Sequence, residues 1–117
     1  MKTVLVVDDS NFMRRIIKNY LARYDFGVVG EADNGRSGVE RYKELNPDIV
    51  TMDVTMKVMN GIEATKQIMK ISAAAKVLIV SSMGQELVVR DAIISGAKGF
   101  IVKPFQEEQF VEALKKL

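Results

Sequence analysis

Asp8 and Asp9 follow an apolar run at residues 4–7, Asp53 follows Ile49–Met52, and Lys103 follows a run at 100–102. If these runs are parallel strands of one sheet, their carboxyl ends share one edge, which is where open α/β folds place ligand sites. Three carboxylates and a lysine then converge. Such a cluster is poor for stability, because like charges held close raise one another's pKa and repel. It points to a site for a hard cation. Ser81 and Ser82 end a fourth run at the same edge, where a hydroxyl either satisfies nearby backbone groups or binds an anion.

Each residue also has a plainer role. Asp8 or Asp9 can cap the helix that follows, sharing that role with Ser10, and Asp53 can cap the turn into residues 54–61. A lone lysine is usually solvated, but Lys103 ends a buried run and precedes Pro104, which makes it a counter-charge. A strand as apolar as Ile49–Met52 that ends in a carboxylate beside two others is costly without a cation. Together they favour the cation site. Met52, Met56 and Met59 read as core and loop packing.

The elements that must position these groups alternate regularly. Short runs rich in Val and Ile at 3–7, 28–31, 49–52, 77–80 and 100–102 are bounded by Gly, Asp, Asn, Ser or Pro and read as strands buried on both faces. Between them lies helical spacing: Phe12, Ile16, Ile17, Tyr20 and Leu21; then Val39, Tyr42 and Leu45; then Ile62, Ile68 and Met69. Leu87, Ala92 and Ile93 mark a fourth helix, and Phe110, Val111, Leu114 and Leu117 a fifth. Units of this length force right-handed crossovers and a parallel sheet covered by helices. Asp33 and Asn34 are set to cap the second helix, Pro47 to stop it, and Gly96 to end the fourth.

Composition removes other chemistry. The 117 residues, 48% of them hydrophobic, read as one domain over 1–117. With no Cys and no His, disulfides, thiol nucleophiles, imidazole or thiolate zinc sites and histidine acid–base catalysis are excluded. Oxygen and lysine chemistry remain. A net charge of +2 spread along the chain leaves no nucleic-acid footprint. No apolar stretch can span a bilayer, and Lys2 precedes only a short apolar run, so no signal peptide is expected and a cytoplasmic location is the default.

Val-Asp-Asp-Ser at 7–10, Met-Asp at 52–53, Met-Asn-Gly at 59–61, Ser81 and Lys-Pro-Phe at 103–105 together resemble the receiver domain of bacterial two-component response regulators. The segments at 8–15 and 82–85 are similar to the single-domain chemotaxis members in particular. The resemblance covers essentially the whole chain. It implies a flavodoxin-like (βα)5 fold with a five-stranded parallel sheet in the order 2-1-3-4-5. It also implies a signalling switch rather than an enzyme for other substrates, with Asp53 the phosphoacceptor and a histidine kinase the phosphodonor. Mg²⁺ would be held by Asp9, Asp53 and the Thr55 backbone carbonyl, with Asp8 acting through water. Lys103 and Ser81 would assist at the phosphoryl group, and Ser81 and Phe100 would relay its arrival to a surface that binds an output partner. The family further implies a monomer, a flagellar motor switch protein as that partner, a phosphatase as another, and no direct contact with nucleic acid or membrane.

One departure stands out. The loop after Asp53 usually carries Met-Pro in this family, and here it carries Met56-Lys57. A proline fixes φ; the lysine does not, and it is expected to loosen the loop and oppose the metal. Three other readings compete. A flavin or nucleotide site is disfavoured because Asp8 and Asp9 would repel phosphate. A haloacid dehalogenase-type phosphatase needs Asp-x-Asp, and Ser10 stands where the second Asp should be. The third is a receiver cut from a longer transcription factor.

Overall fold

Five runs rich in Val and Ile form strands β1 (Lys2–Val7), β2 (Phe26–Ala32), β3 (Ile49–Met52), β4 (Lys76–Ser81) and β5 (Gly99–Val102) in a computed structural model that describes residues 1–117. Helices α1 (Asn11–Ala22), α2 (Gly35–Leu45), α3 (Gly61–Ile71), α4 (Glu86–Ile94) and α5 (Glu107–Lys115) alternate with them. All neighbouring strands are parallel, in the order β2-β1-β3-β4-β5. Register aligns the strand ends: Val7 pairs with Met52, Met52 with Ile79, and Ser81 with Val102. The ladder runs one residue further, with Asp53 N–H donating to Val7 O at 3.0 Å and Lys103 N–H to Ser81 O at 2.8 Å. The charged residues are therefore pinned by backbone to one edge.

Because side chains alternate along a strand, the three central strands feed two cores. Leu5, Val7, Val50, Met52, Val77 and Ile79 pack on α2, α3 and α4. Val4, Val6, Ile49, Leu78 and Val80 pack on α1 and α5 through Ile17, Leu21, Phe110 and Leu114. Each such side chain contributes roughly 1.5–3 kcal/mol when fully buried. Phe105 stacks on Phe110 at 5.4 Å between centroids and anchors the segment after Lys103. No helix is long and apolar enough to cross a membrane.

The helix ends are set by side-chain caps. Ser10 caps α1 by accepting from Met13 N–H, and Asn34 caps α2 by accepting from Ser37 N–H. Asn60 caps α3 in the same way through Glu63 N–H. The second helix stops on Asn46, which is left-handed at φ 45°, one residue before Pro47. Gly96, at φ +113°, follows α4 as expected.

The edge strands β2 and β5 are only half-buried, with Val29 and Val102 exposed, rather than buried on both faces, and three further details differ from the spacing. The second strand begins at Phe26 rather than 28, because Gly27 pairs with Thr3 although glycine reads locally as a turn. Phe12 is 68% exposed, since it lies on the outer side of α1. Leu87 and Ile93 are exposed too, and only Ala92 of α4 is buried; with apolar residues all round a helix, its inward face has no periodic signature.

Thr51 is 1% exposed, and its Oγ1 has no hydrogen-bond partner. Alternation places it on the Ile49 side of β3, flanked in register by Val6 and Leu78. A buried unpaired hydroxyl carries a desolvation penalty, so Thr51→Val is expected to stabilise the fold by ~1 kcal/mol. Urea unfolding checks this, and a less stable variant would show that the hydroxyl is satisfied by a buried water.

Candidate functional site

The strand ends bring Asp8, Asp53 and Lys103 together as the sequence requires. Lys103 Nζ donates to Asp8 Oδ2 at 2.8 Å and lies 3.5 Å from Asp53 Oδ1. Asp8 is 1% and Asp53 6% exposed, while Asp9 sits outside them in solvent. Each of the three carboxylates offers a ligand atom, and these atoms lie within 4.8 Å of one another.

Both buried carboxylates are also tied to backbone. Asp8 Oδ1 accepts from Ser10 N–H at 2.9 Å, so Asp8 steadies the turn into α1 while Ser10 takes the cap. Asp53 Oδ1 accepts from Val54 N–H at 2.9 Å. Burial, with the Asp8 charge second, pushes the Asp53 carboxyl up from 3.8 to about 6, against the opposing pull of Lys103 and the Val54 N–H. Three carboxylates facing one ammonium leave a surplus of two negative charges when all are ionised. A divalent cation matches that surplus, and an all-oxygen donor set suits Mg²⁺ in particular, which takes a few carboxylates and keeps water.

Sequence reasoning missed Arg14. Its Nη1 donates to the Asp8 carbonyl at 2.6 Å and its Nε to Glu31 at 2.9 Å, with Lys18 on the same carboxylate at 2.7 Å. The pair of basic residues holds the Glu31 carboxyl below its usual range, Lys18 first. Arg14 thus braces the end of β1 from α1. Its contact with Asp8 is to backbone, which no spacing rule would flag.

Ser81 is buried, and its Oγ accepts from Met83 N–H at 3.0 Å, which leaves the hydroxyl proton free to donate. Phe100 is half-buried against the α4-side core. Ile79 pairs with Phe100 and Ser81 with Val102, so by alternation Ser81 and Phe100 project to the same face as diagonal neighbours. Thr55 lies in the loop between β3 and α3. The loop's internal hydrogen bonds use the carbonyls of Val54 and Lys57, and Met59 O accepts from Gly35; the Thr55 carbonyl takes no part in them. The Thr55 hydroxyl donates to Met83 Sδ at 3.4 Å. Met52 is fully buried, and Met56 and Met59 pack against the same core, as expected of packing residues.

Lys57, expected to oppose the metal, has a carboxylate partner of its own. Its Nζ lies 3.4 Å from Asp33 Oδ2, so its charge is partly matched at the rim.

A doubly wound parallel sheet with a buried acidic cluster and a lysine at its carboxyl edge defines a receiver, and the chain belongs to the response regulator receiver domain family, which it matches over residues 4–115. Within that family it is similar to the chemotaxis protein CheY of Thermotoga maritima, at 57% identity over 99% of this chain and 97% of that protein. It is 53% identical to CheY of Bacillus subtilis over 97% of this chain and 94% of that one. Its fold overlays on a chain of the CheX–CheY–BeF3–Mg²⁺ complex from Borrelia burgdorferi with a TM-score of 0.93, at 36% identity, covering 97% of this chain and 86% of that chain.

Proposed function

We propose that this chain is a phosphorylation-activated chemotaxis switch in which Asp53 takes a phosphoryl group from a histidine kinase. The observation that carries this reading is a nearly buried carboxylate at a strand end, raised to about 6, with a lysine ammonium 3.5 Å away. Asp9 and Asp53 would hold Mg²⁺ directly, with Asp8 through water and the Thr55 carbonyl as the remaining protein ligand. When bound, the cation lowers the Asp53 pKa and offsets charge on the transferred group.

The chain's own residues do the rest. An Asp53 carboxylate oxygen attacks phosphorus in line; the P–N bond of the phosphohistidine breaks, and the imidazole leaves with the bond's electron pair and takes up a proton. Lys103 stabilises the negative charge spread over the equatorial oxygens. Ser81 turns its free hydroxyl proton to the attached phosphoryl group, and Phe100, its diagonal neighbour, repacks. The affected surface is α4, β5 and α5, where Leu87, Ile93, Ile94 and Val102 are exposed apolar residues of the kind that bind partners. A flagellar motor switch protein is the proposed partner, a phosphatase resets the switch, and the protein acts as a monomer in the cytoplasm. It turns over no substrate beyond its own phosphoryl group.

Ser81→Ala tests the relay. It is expected to accept phosphate normally and to lose roughly tenfold of the gain in partner affinity, because one charge-assisted hydrogen bond exists only in the active state. Beryllofluoride should move the amide NMR signals of residues 97–103 and α4 in wild type and much less in the variant. Equal shifts in both would sink Ser81 as the relay.

A further inference from the structure

We infer that Lys57 and Asp33 form an electrostatic latch that holds the loop carrying Thr55 against the start of α2, making them positioning residues for the cation site. The inference rests on the reading of Asp8, Asp9 and Asp53 as a Mg²⁺ site and extends it to two residues outside the acidic cluster.

Asp33 is a braced partner. Its Oδ1 accepts from Asn34 Nδ2 at 2.8 Å, and the Asn34 Oδ1 in turn caps α2 through Ser37 N–H at 3.0 Å. The carboxylate is thereby fixed to a helix end, so the 3.4 Å pair with Lys57 Nζ constrains the lysine's loop. That loop touches α2 at a second point, where Gly35 N–H donates to Met59 O at 2.9 Å. A Cβ on Gly35 would overlap that same carbonyl oxygen, so the two backbones are in direct contact.

Between these two fastenings sits Val58 at φ 67°. A β-branched residue in the left-handed region is strained and persists only where its surroundings hold it. Val58 is 68% exposed, so its own side chain supplies little of that hold. Met59 N–H closes a tight turn on Lys57 O at 2.7 Å around it. The residues on either side are the two that are fastened to the α2 entrance: Lys57 through its ammonium and Met59 through its carbonyl. A proline at 57 would stiffen the chain through its ring; here a side-chain ion pair does so from outside. Thr55, the proposed carbonyl ligand, lies two residues before Lys57, and Gly61 N–H closes the loop's far end on Val54 O at 2.8 Å.

The pair is solvent-facing, at 64% and 49% side-chain exposure, so its effect is expected to be severalfold and salt-sensitive. The test compares wild type with Asp33→Asn, Lys57→Met and the double variant. In metal-free protein, amide hydrogen exchange at Gly35 and Met59 should be about two- to fivefold faster than wild type in each single variant, and no faster in the double than in either single. Molar NaCl should speed wild type and leave the double variant unchanged. Calorimetric titration with Mg²⁺ supplies the second reading. Asp33→Asn should weaken binding by a larger factor in wild type than in the Lys57→Met background, whereas two independent charges would give equal factors. Unchanged exchange, or strictly additive effects in either measurement, would overturn the latch. Absence of Mg²⁺ binding in wild type would instead overturn the reading of the acidic cluster, with the exchange data still deciding whether the loop is latched.

Discussion

Asp53→Asn is expected to take up no phosphate from acetyl phosphate and, without metal, to be more stable than wild type at pH 7. The first half follows from the nucleophile: an amide oxygen is a poor attacker and cannot give the acyl phosphate. The second follows from the cost of keeping Asp53 ionised. Its carboxyl titrates at about 6 in the fold and near 3.9 unfolded, so between these values the folded state binds more protons. Stability from this group is therefore greatest below about pH 4 and falls as pH rises to about 6. Above that the full cost persists. Keeping this carboxylate ionised in the fold costs on the order of 1–3 kcal/mol once solvent screening is allowed for, and the variant recovers what local relaxation leaves of it.

Urea unfolding at pH 7 and pH 4.5 should show the Asn variant's advantage shrinking at the lower pH. Mg²⁺ should raise the stability of wild type more than that of the variant, because binding only the folded state adds stability by mass action. Intact mass reads the labelling, which EDTA should suppress in wild type. At subsaturating Mg²⁺ the wild-type labelling rate should climb as pH rises through about 6, following ionisation of Asp53. Phosphate on the Asn variant, or labelling indifferent to chelator, would remove Asp53 from its role. An Asn variant less stable than wild type at pH 7 would show that Lys103 overcompensates the burial.

The acidic edge was legible in the sequence for a physical reason. A strand buried on both faces must be apolar until it leaves the core, so the first charge after Val7 and after Met52 marks the edge directly. The 2-1-3-4-5 order was not legible from periodicity, which carries no information about which strand lies beside which; it came from the resemblance. Helix α4 was found but not its orientation, because Leu87, Val88, Ile93 and Ile94 surround it with apolar groups and the small Ala92 is the part that goes inside. Arg14 and the Asp33–Lys57 pair escaped for another reason. The first contact is to a backbone carbonyl, and the second joins residues 24 apart, brought together only when two loops meet at the sheet edge. The roles of Asp8 and Ser10 were divided by geometry: the acid closes the turn and the hydroxyl caps the helix.

Gly61→Ala is expected to destabilise the protein by about 3 kcal/mol and to weaken Mg²⁺ binding at least tenfold. Gly61 opens α3, and its φ lies outside the left-handed range, so helix propensity alone would favour alanine by up to ~1 kcal/mol. Space decides otherwise. A Cβ at this position would overlap the carbonyl oxygen of Asp53 and come within 2.9 Å of Met52 Cγ. The first obstacle is backbone, and it is anchored: Asp53 N–H is bonded to Val7 O at 3.0 Å, while Gly61 N–H holds Val54 O at 2.8 Å. Neither partner can give way without moving the end of β3 or the start of α3. Overpacking of this kind typically costs 1–3 kcal/mol and more where the neighbour is rigid. The same displacement carries the Asp53 carboxylate away from Asp8 and Asp9, and a hard cation with strict geometry tolerates little of it. Urea unfolding and Mg²⁺ titration of the folded variant measure the two effects. Retained stability with weakened Mg²⁺ binding would place the shift in the β3–α3 loop alone, and retention of both would show that α3 slides to admit the methyl group, contrary to the close approach on which the prediction depends.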